Sequence, residues 1–109
     1  MTWLQARERT VEQWRRIYAH VGVWSLEEFL DAMSEEWPMC KKAREEAEKW
    51  EAHHCMCCLA FRQMGGCHDF MRELLREALR RHWDKVRTMV AQAINYWESG
   101  VFPSQNLRG

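Results

Sequence analysis

Apolar residues recur every three or four positions along most of the chain, which is the spacing that places them on one face of an α-helix. No segment shows an alternation of apolar and polar residues that would compete with this helical pattern. The pattern and its interruptions predict four helices, over about residues 2–21, 25–37, 39–64 and 69–98, followed by a C-terminal tail over 101–109. The sequence therefore predicts an all-α, four-helix bundle-like single domain.

Several residues at the predicted boundaries have the chemistry of helix ends. Thr2 is placed to cap the first helix, and Gly22 can end it because glycine adopts a left-handed conformation without a steric penalty. Ser25 and Glu28 have the spacing of a capping box at the start of the second helix. Pro38 either ends the second helix just before it or occupies the first position of the third helix.

The last predicted helix has the strongest amphipathic pattern in the chain. Asp69 is placed as its N-cap, directly after a Gly65-Gly66 turn. Apolar residues then recur at helical spacing from Met71 to Trp97, and Ser99 lies at the predicted end. We therefore expect one uninterrupted helix over 69–98.

Charge and apolar length exclude some classes of partner. The chain of 109 residues contains 16 basic and 16 acidic residues, so its formal net charge is zero and no bulk preference for polyanions or membranes follows. The charged N-terminus does not resemble a secretory signal, and no stretch approaches the roughly 20 apolar residues needed to span a bilayer. We expect a cytoplasmic protein with no membrane partner.

Residues 53–68, HHCMCCLAFRQMGGCH, contain four of the five cysteines and three of the five histidines. Thiols stay reduced in the cytoplasm, where clustered cysteine and histidine favour metal binding, and these ligands suit zinc. A tetrahedral zinc site would link the third and fourth predicted helices. Cys55, Cys58 and Cys67 would supply three ligands. His68, His54, His53 and Cys40 are the candidates for the fourth, and we favour His68 or His54.

Two other uses of the cysteines remain open. An iron–sulfur cluster could take thiolates from Cys40, Cys55, Cys58 and Cys67, although the spacing matches neither common ferredoxin pattern. A thiol redox role is a further alternative. The cysteines could also be buried apolar side chains with no cofactor, which is a frequent role of free cysteine and the one we favour for Cys57.

Basic residues recur along the last predicted helix and define a possible nucleic-acid-binding face. Acidic residues interrupt this series at ion-pair spacing, and Glu77 lies four residues before Arg81. We therefore favour a solvated, internally paired face over a phosphate-binding one. The basic residues are Arg76, Arg80, Arg81, Lys85 and Arg87.

The sequence has no glycine-rich phosphate loop and no arrangement of serine, histidine and acid typical of hydrolases, so we expect no enzymatic activity. The leading hypothesis is a protein-interaction module with a structural zinc site, acting as a regulator or inhibitor. Its size and composition are compatible with the phage or mobile-element type, anti-CRISPR proteins included. A nucleic-acid-binding accessory protein and an iron–sulfur or thiol redox protein are the alternatives, and exposed tryptophans would be compatible with a homodimer.

Overall fold

The computed structural model describes residues 2–50 and 68–99, and every regular element in these ranges is a helix. The all-α class is therefore confirmed for this part of the chain. The helices are α1 (Trp3–His20), α2 (Leu26–Ser34), α3 (Pro38–Trp50), α4 (His68–Leu79) and α5 (Trp83–Ser99).

The first two helices begin at the predicted capping residues. The Thr2 hydroxyl accepts a hydrogen bond from the Gln5 N–H at 3.1 Å, and the Gln5 side chain accepts one from the Thr2 N–H at 2.9 Å. Ser25 and Glu28 exchange the same pair of bonds at the start of α2. Each pair satisfies two backbone donors that have no partner inside the helix, so both predicted starts are confirmed.

The boundary between α2 and α3 follows the second of the two possibilities for Pro38. Pro38 is the first residue of α3, and α2 already ends at Ser34, three residues earlier than expected. Proline suits the first helical position because its missing N–H would have no intrahelical acceptor there. The predicted third helix is confirmed as far as Trp50, and its remainder, to residue 64, lies outside the described residues.

The prediction of one helix over 69–98 is wrong, and so is the predicted number of four, because a break at Arg80–His82 separates α4 from α5 and the described residues contain five helices. Leu74 and Ala78 on α4 and Val86 and Val90 on α5 are all fully buried. In a straight helix Val86 and Val90 would point about 120° and 160° away from Leu74. The break allows both pairs to face the same core.

Helix α1 lies at the centre of the described fold, packed against α5 on one side and α3 on another. One face of α1 is buried, and Trp14 lies in the middle of that face. The Trp14 ring lies 4.4 Å from the ring of Trp37, which precedes α3, and 6.2 Å from the ring of Phe70 on α4, measured between centroids. The buried face of α1 therefore packs against elements from both halves of the chain. Its members are Ala6, Thr10, Val11, Trp14 and Ile17.

A side chain of α1 caps the start of α3. The Trp37 carbonyl accepts the first intrahelical bond of α3, from the Lys41 N–H at 2.9 Å, but the indole of Trp37 has no acceptor atom for the other free N–H groups. The buried Thr10 hydroxyl instead accepts a hydrogen bond from the Met39 N–H at 3.1 Å. The N-terminal cap of α3 is therefore a tertiary contact.

The start of α5 is connected to the α1–α2 region by two contacts. Arg87 donates a hydrogen bond to the Val21 carbonyl, at the end of α1, over 3.0 Å. The ring of Trp83 packs edge-on against Phe29 of α2, with centroids 5.4 Å apart. These contacts position the N-terminus of α5, and with it the preceding connection to α4.

We expect Thr10→Val to lower the free energy of unfolding by about 1–2 kcal/mol, because valine keeps the shape of threonine but leaves the buried Met39 N–H without an acceptor. Urea denaturation followed by circular dichroism measures this change. The matched control is Thr88→Val on α5, where the exposed hydroxyl donates to the Asp84 carbonyl. That substitution should change the free energy of unfolding by less than about 0.5 kcal/mol, and equal effects of the two would contradict the assignment.

Candidate functional site

The described residues test little of the predicted zinc site. Cys55, Cys58, Cys67 and His54 lie outside them, and the backbone of His68 forms the first position of α4. Within residues 2–50 and 68–99, no three histidine, cysteine, aspartate or glutamate side chains converge in a way that could hold a metal ion. The zinc site stays a prediction.

The five predicted basic residues do not share one helix face. Arg76 belongs to α4, Arg80 and Arg81 lie in the connection, and Lys85 and Arg87 belong to α5. The possible nucleic-acid-binding face therefore extends over two helices and their connection, because the helix breaks before Trp83. Its use in binding nucleic acid stays a prediction.

Three of these basic side chains have partners within the fold. The partners are a carboxylate on the same helix, the buried carboxylate of Glu77 and a backbone carbonyl at the end of α1. The closest distances are 3.0 Å for Arg76–Glu73, 3.7 Å for Lys85–Glu77 and 3.0 Å for Arg87–Val21. Arg80 and Arg81 are exposed, and their side chains form no hydrogen bond or ion pair with any described residue.

The connection between α4 and α5 is a Schellman motif, and we call residues 77–85 the α4–α5 corner. The Arg81 N–H donates to the Ala78 carbonyl at 2.9 Å, and the His82 N–H donates to the Glu77 carbonyl at 3.0 Å. Arg81 has a φ of +59°, the left-handed conformation that glycine usually supplies at this position. The motif satisfies the last carbonyls of α4 and turns the chain.

His82 takes part in both helix ends. Its carbonyl accepts the first intrahelical bond of α5, from the Val86 N–H at 3.0 Å. Its imidazole Nδ1 lies 2.8 Å from Oε2 of Glu77, in the last turn of α4. His82 therefore joins the last turn of α4 to the first turn of α5.

Glu77 is a buried carboxylate at the centre of the corner, with only 3% of its side chain exposed. The hydrogen bond from His82 lowers the pKa of Glu77 below its ordinary value of 4.5, with the positive charges of Lys85 and Arg80 adding to the effect and burial opposing it. The ion pair predicted between Glu77 and Arg81 is replaced by these contacts, because Arg81 lies beyond the end of α4.

The outer surface of the corner combines apolar and positive side chains. Leu79 is 56% exposed, which is high for a large apolar residue, and Arg80 and Arg81 follow it directly. The local sequence predicts the interior of a helix here, because this segment contains neither glycine nor proline. Leu74 and Val86 would not lie on one face of a straight helix, and this shift in the helical phase of the apolar residues was the sequence signal for a break.

The chain matches no protein-family model, and the comparisons with curated proteins and with solved structures found no similar protein. Within the described residues, no helix has the length and apolar character required to cross a bilayer.

We expect Arg81→Gly to raise the free energy of unfolding by about 0.5–1 kcal/mol, because glycine adopts the positive φ of this position without a Cβ clash. The midpoint of urea denaturation measures the change. Gln92→Gly, at an exposed position inside α5, should lower the free energy of unfolding by about 1 kcal/mol. A destabilising Arg81→Gly would contradict the strain assigned to Arg81.

We expect Glu77→Gln to weaken the dependence of stability on acid. The pKa of Glu77 is lower in the folded chain than its ordinary value of 4.5, so the ionised carboxylate stabilises the fold above that pH. This contribution is lost as the pH falls through the lower folded pKa. The free energy of unfolding should therefore fall less steeply with acidification in the variant than in the unsubstituted chain.

Urea denaturation at a series of values from about pH 7 to about pH 3 measures this difference in slope. Glu27→Gln removes an exposed carboxylate on α2 and controls for the loss of one negative charge. Identical slopes for Glu77→Gln and the unsubstituted chain would contradict a stabilising role of the ionised Glu77.

Proposed function

We propose that this chain is a small, non-enzymatic protein-interaction module that acts as a regulator or inhibitor of a partner protein. The observation that supports the proposal best is the exposed sequence Leu79–Arg80–Arg81 at the α4–α5 corner. Arginine is enriched among the residues that contribute most of the binding energy at protein interfaces, and an exposed apolar side chain beside it adds apolar area that a partner can bury. At this corner they are adjacent in the chain.

These side chains are suited to binding because hydrogen bonds order the backbone that carries them. The Schellman hydrogen bonds determine the path of the chain between α4 and α5. The contact between His82 and the buried Glu77 joins the ends of these two helices. A surface whose backbone is already ordered loses less conformational entropy when a partner binds. The exposed arginines of the corner therefore extend from a backbone that is already ordered before a partner binds.

A zinc ion bound by Cys55, Cys58 and Cys67, with His68 or His54, forms the second part of the proposal. Helix α3 packs mainly against α1, whereas α4 packs against α5 and α2. A metal held by the sequence between α3 and α4 would add a direct link between these helices. Such a link would stabilise the position of α4, and with it the α4–α5 corner.

Nucleic-acid binding is the second candidate function, and the exposure of Arg80 and Arg81 favours it. The internal contacts of Arg76, Lys85 and Arg87 leave fewer cations for phosphate than the sequence suggested. We therefore rank this function below protein binding.

The interaction function predicts that the tagged chain, purified from the cells that produce it, forms a complex with one protein at a defined ratio. Size-exclusion chromatography with light scattering measures the mass of the complex, and the ratio of absorbance at 260 and 280 nm reports bound nucleic acid. A chain that elutes alone, near its own mass of 13.2 kDa, would contradict the proposal. Copurified nucleic acid without protein would favour the second candidate.

The zinc site predicts one zinc ion per chain in elemental analysis of protein purified without metal-affinity steps. Removal of the metal by a chelator, or Cys58→Ser or Cys67→Ser, should markedly lower the melting temperature because metal binding contributes to folding. Cys40→Ser, at a half-buried position on α3, is the control and should retain the zinc. Iron with sulfide would indicate a cluster instead, and absence of metal would leave the cysteines as packing residues.

A further inference from the structure

We infer that the α4–α5 corner binds an acidic segment of a partner protein, with Arg80 and Arg81 contacting its carboxylates and Leu79 contacting an apolar side chain beside them. This inference rests on the proposed interaction function and specifies its surface and the chemistry of the partner.

The charge at the corner is the first support. Residues 77–85 contain the basic residues Arg80, Arg81 and Lys85 and the acidic residues Glu77 and Asp84. Glu77 is buried and bonded to His82, so it offers almost no carboxylate surface to a partner. The exposed part of the corner therefore presents three basic side chains and one carboxylate, that of Asp84. Arginine also pairs with carboxylates through two parallel hydrogen bonds, which gives such a contact geometric specificity.

The conformation of Arg81 is the second support. A residue other than glycine in the left-handed region destabilises the fold, and strained backbone positions are frequent at functional sites. The exposed Arg81 side chain forms no hydrogen bond or ion pair with a described residue that would offset this strain. No contact of the Arg81 side chain within residues 2–50 and 68–99 therefore explains the strain, whereas a role in binding accounts for its charge.

Leu79 distinguishes a protein partner from a nucleic acid. Interfaces with nucleic acid are highly polar, and their affinity depends on many cations that each neutralise a phosphate. Here two adjacent arginines form no hydrogen bond or ion pair with a described residue, and a large exposed apolar side chain lies next to them. Arginine is enriched at protein interfaces, where apolar side chains are buried beside polar ones, so the position of Leu79 next to Arg80 and Arg81 favours a protein partner.

The inference is tested with the full chain labelled with ¹⁵N and titrated, at low salt, with a short synthetic peptide of glutamate and leucine. We expect the amide chemical shifts of residues 78–85 to change, and those around the exposed Arg9 on α1 to stay constant. A single-stranded DNA oligonucleotide of the same length is titrated in parallel. Stronger binding of the DNA at the corner, shifts confined to other regions, or no binding of the peptide would each overturn the inference.

Arg81→Gly makes the test independent of folding, because this variant should be more stable than the unsubstituted chain and yet bind the peptide less tightly, by about fivefold or more. Arg9→Ala removes an exposed arginine elsewhere and should leave the affinity unchanged. Unchanged peptide binding by Arg81→Gly would overturn the inference. If a partner protein copurifies equally well with Arg81→Gly, the interaction function stands and only its assignment to the corner fails.

Discussion

The fold depends on the burial of one face of α1 between helices from both halves of the chain. Trp14 contacts the aromatic ring that precedes α3 and another at the start of α4, so a single side chain joins regions distant in sequence. The same face presents Thr10 to the start of α3. Because apolar burial and the capping of α3 come from one helix face, disturbing α1 affects packing and hydrogen bonding together.

The α4–α5 corner illustrates how a buried charge and a helix break depend on each other. A carboxylate as buried as Glu77 is unfavourable unless it has hydrogen-bond partners and nearby positive charge. The Schellman motif supplies the hydrogen-bond partner, because it brings His82 back to the last turn of α4. The start of α5 supplies the positive charge of Lys85. The carboxylate in turn helps to hold the two helix ends together, so that the backbone of the exposed Arg80 and Arg81 is ordered.

The basic residues of the C-terminal region divide into two groups once their contacts are considered. Arg87 stabilises the end of α1, and Arg76 and Lys85 lie near carboxylates. Arg80 and Arg81 have no such contacts among the described residues, and Arg81 adopts a conformation that favours glycine. Side chains without a hydrogen bond or ion pair inside the described part of the fold are available to a partner, which is why the corner, and not a whole helix face, is the candidate surface. Stability and binding are expected to oppose each other at Arg81.

The sequence by itself determined the all-α class and the caps of α1 and α2, because each depends on residues within three or four positions of one another. It left two roles open for Pro38, and it identified every basic residue of the corner and all the favoured zinc ligands, of which the structure describes only the position of His68. Only the tertiary structure decided where α4 ends, since Arg81 replaces the glycine that would have marked a stop. It also decided the partners of Thr10 and Arg87, which lie 29 and 66 positions away in the chain. Such contacts depend on how the helices pack, and no local pattern of residues specifies them.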